Sequence, residues 1–486
     1  MKKRKFDKNL ILTFLIGVLI TIIIIKLVVP SIMEYKIETE FLDKVENAPI
    51  PLPYYSFASY HMKSFIALIL PDKESYITEN VVSNVRSKIN EIYQPQFEVA
   101  INGISSDQET VDYMEKSGLL TELSLSGEEA LNRLENIDTT IRAFEPKGDF
   151  AQYYPIDIPP NFVRYPAEYE EIGAVFVSWP VYHHINDWQV HQNFVREIVI
   201  EAQAWILVPN EYWQKLIELY LEENNVDLSS IKFFHVPTND IWVRDFGPTT
   251  VLMGENSTPV FIWNPYVPLG LPGMLNDENV GAALAMYLNV PVYRLPVIVE
   301  GGNIITDGKG TIMMMESVLD NNAQVNREGL KEIMKSYLGA ENLVTFPAVP
   351  GEACGHIDMI VKFIDEDTLI VAEVSNDHPW YNSLEDIAET LSDMTASNGE
   401  PYEIVRIMLP ETVDDVQEWT YVNSLILNNK VIVPVYGTPE DEIALNVYQE
   451  IMPEYEIVSV DESNYAAGAI HCQAKEVPKS LVDQIS

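Results

Sequence analysis

The sequence predicts an α/β fold built from repeated ββαβ-type units, and three observations predict it. From residue 173 to the C-terminus, single helical stretches are separated by groups of short apolar strands. A doubly wound sheet would instead alternate strand and helix one for one, so several small units fit this rhythm better. A change of composition at Pro146-Lys147-Gly148 separates this region from residues 61–148. That earlier stretch also alternates strand and helix, which predicts a small α/β accessory domain in front of the main one.

Composition bounds what such a chain does. The 486 residues allow a large core, and 47% are hydrophobic, an ordinary globular fraction. The formal net charge is −42, which excludes a nucleic-acid partner because phosphates would be repelled. The same charge attracts cationic small molecules and basic peptides. Only Cys354 and Cys472 are present, too few for a disulfide scaffold.

The N-terminus has its own logic. Lys2, Lys3, Arg4, Lys5 and Lys8 form a basic tail over 1–8, and a nearly unbroken apolar run follows over 9–29. About 20 such residues cross a bilayer as a helix. Lys26, near the end of the run, can snorkel to the headgroups. The positive flank precedes the run, so the N-terminus is expected in the cytoplasm and the remainder outside. A cleaved signal peptide is the competing reading. The run is long for one, and the exit VVPSIMEY lacks a small-residue cleavage pattern. A linker with Pro49, Pro51 and Pro53 is expected over 30–60. In 61–148, a strand at 65–70, a helix at 74–93, a strand at 97–101 and helices at 109–116 and 128–137 are expected, with no chemical motif among them. The main domain is 149–486.

Four stretches of the main domain carry chemistry. Residues 352–363, EACGHIDMIVKF, read as a strand whose alternation puts Cys354, His356 and Asp358 on one face. Gly355 lets something approach closely. Residues 240–248, DIWVRDFGP, set Asp240, Arg244 and Asp245 among Trp242 and Phe246. A carboxylate beside aromatic rings can hold a planar cation. Residues 300–311, EGGNIITDGKGT, put Glu300 at the end of an apolar strand, before two glycines; the run lacks the pattern of a phosphate loop. Residues 466–473, AAGAIHCQ, place Cys472 between His471 and Gln473. An inert core thiol and a reactive one both fit, the latter needing an electropositive neighbour near neutral pH. His183, Asp187 and His191 have metal-ligand spacing for one helix face, but Pro180 and the nearby aromatics favour a loop, and no metal site is expected.

Taken together and in this order, PAEYEEIGAVFVSWP (166–180), WVRDFGP, EGGN, GHID, YVNSLILNNKVIVPVYG (421–437) and AIHC resemble the agmatine deiminase and bacterial-type peptidylarginine deiminase family of guanidine-modifying enzymes. The resemblance covers about 160–478. It implies a five-bladed α/β propeller, the pentein fold, with the site at its axis. It implies Cys472 as nucleophile, His356 as general acid and base, Asp245 and Asp358 as clamps on the guanidinium, and Glu300 as the partner that keeps His356 protonated. Asn423 would position the site and Trp242 would cover the substrate. No metal or organic cofactor is implied. The expected substrate is a cationic guanidino compound, agmatine or an arginine, free or in a peptide, converted to a ureido product and ammonia. An amidinotransferase or methylarginine hydrolase on the same scaffold, and a catalytically silent binding module, are the alternatives. The chain departs from the agmatine-specific pattern in its anchor, its accessory region and the run IWNPYVPLGLPG after the Arg-Asp motif. Cys354 is either packing or a site-lining thiol able to cross-link to Cys472.

Overall fold

The computed structural model describes residues 104–147, 158–181, 185–265, 275–350, 352, 354–410, 419–463 and 470–485, together with Lys36 and Val81. The expected basic tail, the anchor over 9–29, nearly all of the linker, the expected strands at 65–70 and 97–101 and all but Val81 of the expected helix at 74–93 lie outside the described residues. Among the described residues, no helix is long and apolar enough to cross a membrane.

Five small sheets organise the main region. Four of them follow one order: an antiparallel hairpin, a helix, then a strand added in parallel. Thr249–Met253 and Thr258–Trp263 form a hairpin, the helix Leu275–Leu288 crosses over, and Val292–Arg294 joins in parallel. The same order runs through Ile305–Thr306, Thr311–Met315, the helix Arg327–Leu338 and Asn342–Phe346. It recurs in Val361–Phe363, Thr368–Glu373, Tyr381–Ser392 and Glu403–Met408, and again in Leu425–Leu427, Lys430–Val435, Glu440–Ile451 and Glu456–Asp461. The fifth sheet builds the unit from both ends of the region. Lys475–Pro478 pairs antiparallel with Ile172–Ser178, and Gln203–Val208 and Ile231–His235 follow in parallel.

The central strands form where they do because they are apolar on both faces. Trp205 to Val208 and Thr311 to Met315 are buried at every residue, so these runs are satisfied only between layers. Local chemistry stops the helices. Asn326 caps Arg327–Leu338 by accepting from the Gly329 N–H, and Gly339 ends it at φ +76°. A side chain at 339 would also strike the Val163 carbonyl at 2.0 Å, so this helix end needs glycine twice over.

Residues 104–147 pack on this body as helices Asp107–Ser117, Leu119–Glu122 and Gly127–Glu135, the first and third capped by Ser106 and Ser126. Lys215 of the helix Glu211–Glu223 reaches Asp107 at 2.8 Å, and Arg142 reaches the buried Glu218 at 2.8 Å. Phe144 donates its N–H to the Phe233 carbonyl at 2.8 Å, which ties this segment to the edge of the fifth sheet.

Two sequence expectations are corrected here. Residues 352–363 are not one strand. Gly355 adopts φ +67°, Ile357–Met359 is a single helical turn, and only Val361–Phe363 is extended. The cause is local competition: the Glu352 carboxylate takes the backbone N–H of Cys354 at 2.8 Å and also that of Gly355. Residues near Asp187 are not a loop either, since the helix Ile185–Glu201 carries both Asp187 and His191.

Candidate active site

Each of the five units sends a polar side chain inward from the segment that enters its first hairpin strand. Asp245 precedes Thr249–Met253, Glu300 precedes Ile305–Thr306, and His356 and Asp358 precede Val361–Phe363. Asn423 precedes Leu425–Leu427, and Cys472 precedes Lys475–Pro478. All six are buried. Residues spread over more than two hundred positions thus meet at one place.

Gly302 marks the centre. A methyl group there would lie 2.7 Å from His356 Nδ1, 2.8 Å from Asp245 Oδ1 and 3.1 Å from Asp358 Oδ2. The second glycine of the EGGN run is therefore what allows the backbone into the cluster, and its N–H donates to Asp245 Oδ1 at 2.9 Å. Asn303 then locks the turn, donating to the Met315 carbonyl and Ser317 Oγ, both at 3.1 Å. Ser317 in turn donates to the Gly355 carbonyl at 2.7 Å, so the turns that bear Glu300 and His356 are coupled.

His356 lies between two acids. Its Nε2 is 2.9 Å from Glu300 Oε2 and its Nδ1 is 3.7 Å from Asp245 Oδ1. Burial alone would lower the imidazole, but Asp245, Glu300 and Asp358 outweigh it and hold the ring up to about 10. Asp245 is pushed up to about 7, by burial first; the charge of His356 opposes that, while Glu300 and Asp358 add to it. Asp358 goes the other way. Burial works against its charge, but His471, with Nδ1 at 2.7 Å, keeps its carboxyl below the usual range.

Cys472 is held by its neighbours. Asn423 Nδ2 is 3.2 Å from Sγ, and the Cys472 N–H donates to Asn423 Oδ1 at 3.1 Å. The sulfur is 3.7 Å from Asp358 Oδ2. Burial, then the charges of Asp358 and Asp245, push the thiol well above its ordinary range. Cys354, like Cys472, is buried and outside any disulfide. Trp242 is buried one turn before Asp245, whose N–H donates to the Trp242 carbonyl at 3.0 Å.

Several residues of this centre were not legible as such. Arg244, which stands in the sequence between Asp240 and Asp245, is buried and clamps Glu476 with both terminal nitrogens, one at 2.8 Å. Its Nε donates to the His471 carbonyl at 3.1 Å, and its N–H to that of Cys472 at 3.1 Å. Lys475 is buried behind Gly301 and lowered to about 7, by burial and by the charge of Arg244. The flanking polar residues of AIHCQ were the available signal for His471. Behind Asp358, a cavity of about 50 Å³ is lined by Glu168, Lys362, His471, Glu476 and Arg244; Cys472 and His356 do not line it.

Comparisons with known proteins agree with this architecture. A Vibrio parahaemolyticus protein that carries the provisional name agmatine deiminase is 25% identical over 355 residues, covering 65% of this chain and 96% of the relative. The solved structure of an agmatine deiminase of Enterococcus faecalis superposes with a TM-score of 0.60 at 22% identity, covering 67% of this chain and 100% of that one. The agmatine deiminase of C. jejuni gives 0.55 at 21% identity, covering 65% and 96%. At these identities the solved structures speak for the fold. The family model described as Porphyromonas-type peptidyl-arginine deiminase matches residues 164–478, well over half of the sequence. The chain belongs to that family.

Proposed function

We propose that this chain is a membrane-anchored deiminase that hydrolyses a guanidino group to a ureido product and ammonia, through a covalent intermediate on Cys472. The enzyme class, a hydrolase acting on C–N bonds in linear amidines, follows from the family. The observation that carries the rest is the state of two carboxylates. Asp245 gives Oδ1 to the Gly302 N–H and Asp358 gives Oδ2 to His471, while Asp245 Oδ2 and Asp358 Oδ1 are buried with no hydrogen-bond partner among the described residues. Buried acceptors left open on either side of a thiol and an imidazole call for a planar, multiply donating cation.

The chemistry follows from those positions. A guanidinium carbon resists water because its charge is delocalised, so it must be fixed against the sulfur. The arriving cation offsets the two carboxylates, and the thiol proton leaves to solvent. The thiolate adds to the guanidinium carbon to give a tetrahedral species. His356, protonated at working pH through Glu300, gives its proton to the departing nitrogen, and ammonia leaves a thiouronium on Cys472. Water then adds to the same carbon, His356 takes its proton, and collapse expels the thiolate and frees the ureido product. Asn423 keeps the sulfur on line, and Trp242 covers the bound cation.

We read the five like units as blades of a five-bladed α/β propeller with this site on its axis. The pairing of Lys475–Pro478 with Ile172–Ser178, which joins the two ends of the region, supports that reading. The basic tail and apolar run of residues 1–29 support a single-pass anchor with the catalytic region outside the cytoplasm. The test is ammonia and ureido detection on the fragment from about residue 40, offered agmatine, free arginine, and peptides with internal or terminal arginine. Release of both products by the wild type and by no Cys472→Ala sample supports the reading. Wild-type silence on all four defeats it.

A further inference from the structure

The PAEYE run and the histidine before the nucleophile have no part in the chemistry above, yet they meet behind it. Glu168 is 100 or more residues from every partner it touches. Its Oε1 accepts the Ile426 N–H at 2.6 Å, and Lys362 Nζ reaches its two oxygens at 2.8 and 2.6 Å. Its Oε2 lies 3.3 Å from His471 Nε2. His471 Nδ1 then meets Asp358 Oδ2 at 2.7 Å, and Glu476 Oε1 stands 4.0 Å from Nε2. The His471 backbone is pinned as well, its N–H on the Asn423 carbonyl at 3.1 Å and its carbonyl under Arg244 Nε at 3.1 Å.

Glu168, His471 and Glu476 bring ligand atoms within 4.8 Å of one another, which is metal-site spacing. The charges argue otherwise. Lys362 already neutralises Glu168, and Arg244 already neutralises Glu476, so a cation at this spot would face two fixed positive charges. The cluster fits a hydrogen-bond relay better. Carboxylates only accept, so the ring meets Asp358 Oδ2 as a donor from Nδ1, while Glu168 Oε2 stands 3.3 Å from Nε2 on its other side. The N–H at Nδ1 then holds Asp358 Oδ2 in place and leaves Oδ1 for the substrate.

We propose that His471, braced by Glu168 and Lys362, is a positioning residue that fixes the orientation and charge of Asp358, and through it the alignment of the guanidinium against Cys472. This rests on the deiminase reading, in which Asp358 is a clamp. The relay acts on one of two clamps, so its loss affects alignment more than capture. In His471→Ala, kcat falls by about 10²-fold while KM rises much less, because Asp245 still holds the cation. His471→Asn keeps an N–H near the position of Nδ1 and recovers most of the loss.

The experiment pairs turnover with a readout that does not need it. Cys472 is alkylated by cationic 2-chloroacetamidine and by neutral 2-chloroacetamide in the full-length protein, and the ratio of the two rates is taken, with thermal melting followed in parallel. The wild type favours the cation. His471→Ala lowers that ratio by about 10-fold or more, His471→Asn restores most of it, and Glu168→Gln, which keeps an acceptor for Ile426, lowers it in the same direction. Equal slowing by both reagents, or an Asn variant no better than Ala, overturns the relay. If His471→Ala fails to fold, the Asn and Gln variants decide, and two wild-type ratios overturn it. A wild type that favours the cation but releases no ammonia defeats the deiminase reading instead, and an active wild type with unchanged variants defeats only the relay.

Discussion

Asn423 holds Cys472 from two directions at once, its Nδ2 3.2 Å from the sulfur and its Oδ1 on the backbone N–H of the same residue at 3.1 Å. One amide thus sets both the side chain and the main chain of Cys472. Asn423→Ala leaves a buried N–H without its acceptor, a cost of about 1–3 kcal/mol, and lets the sulfur drift. The expected result is a kcat lower by about 10²-fold and a modestly lower melting temperature, read by ammonia release and thermal unfolding. A kcat near that of the wild type would show that Asn423 does not place the sulfur.

Gly302 is predicted to be irreplaceable for steric reasons alone. A Cβ at this position meets His356, Asp245 and Asp358 between 2.7 and 3.1 Å. Gly302→Ala forces at least one of them aside, at about 1–3 kcal/mol for an overpacked site. Turnover is expected to fall by about 10²-fold or more, with the secondary structure seen by circular dichroism intact. Gly399, at φ +91° with nothing near its missing side chain, serves as the comparison: Gly399→Ala strains a turn and leaves activity unchanged.

Under the proposed mechanism, the pH profile follows from two neighbours. Asp245 must be ionised to grip a cation and is held up to about 7, so kcat/KM rises as pH climbs through that value. His356 must carry a proton for the leaving nitrogen and is held up to about 10, so activity falls above it. Glu300 favours the protonated ring, so Glu300→Gln lowers the imidazole and moves the alkaline limb to lower pH. A limb that stays in place, or moves upward, would contradict this assignment.

Arg244 is predicted to matter for the scaffold and not for the substrate. It bridges Glu476 and the carbonyls at 471 and 472, all on the segment bearing the nucleophile. Arg244→Lys loses the two-pronged grip on a buried acid, at about 3–5 kcal/mol if the pair is broken. The expected sign is a large drop in melting temperature in urea or heat scans, shared by Glu476→Gln.

These contrasts show what a sequence can disclose. Cys472, His356, Asp358, Asp245 and Glu300 lie in polar, glycine-bearing runs that interrupt apolar stretches, but their roles, and Asn423 altogether, come from the family resemblance; the rhythm of hairpin, helix and strand is visible as hydrophobic periodicity. The 352–363 turn was hidden because Glu352 captures nearby N–H groups, which leaves no trace in the alternation. Arg244 and His471 were given no role because their partners are distant: Glu476 is 232 residues from Arg244, and Asp358 is 113 from His471. Burial of a charge depends on such long-range pairing, and no local pattern reports it.

The central claim is that the Cys472 sulfur becomes covalently joined to the guanidinium carbon, and mass spectrometry of acid-quenched enzyme tests it most directly. Protein stopped during turnover should carry an added mass equal to the substrate less ammonia, confined to the peptide containing Cys472 and absent from Cys472→Ser. An adduct on another residue, or ureido product formed at the wild-type rate by Cys472→Ala, would contradict the account.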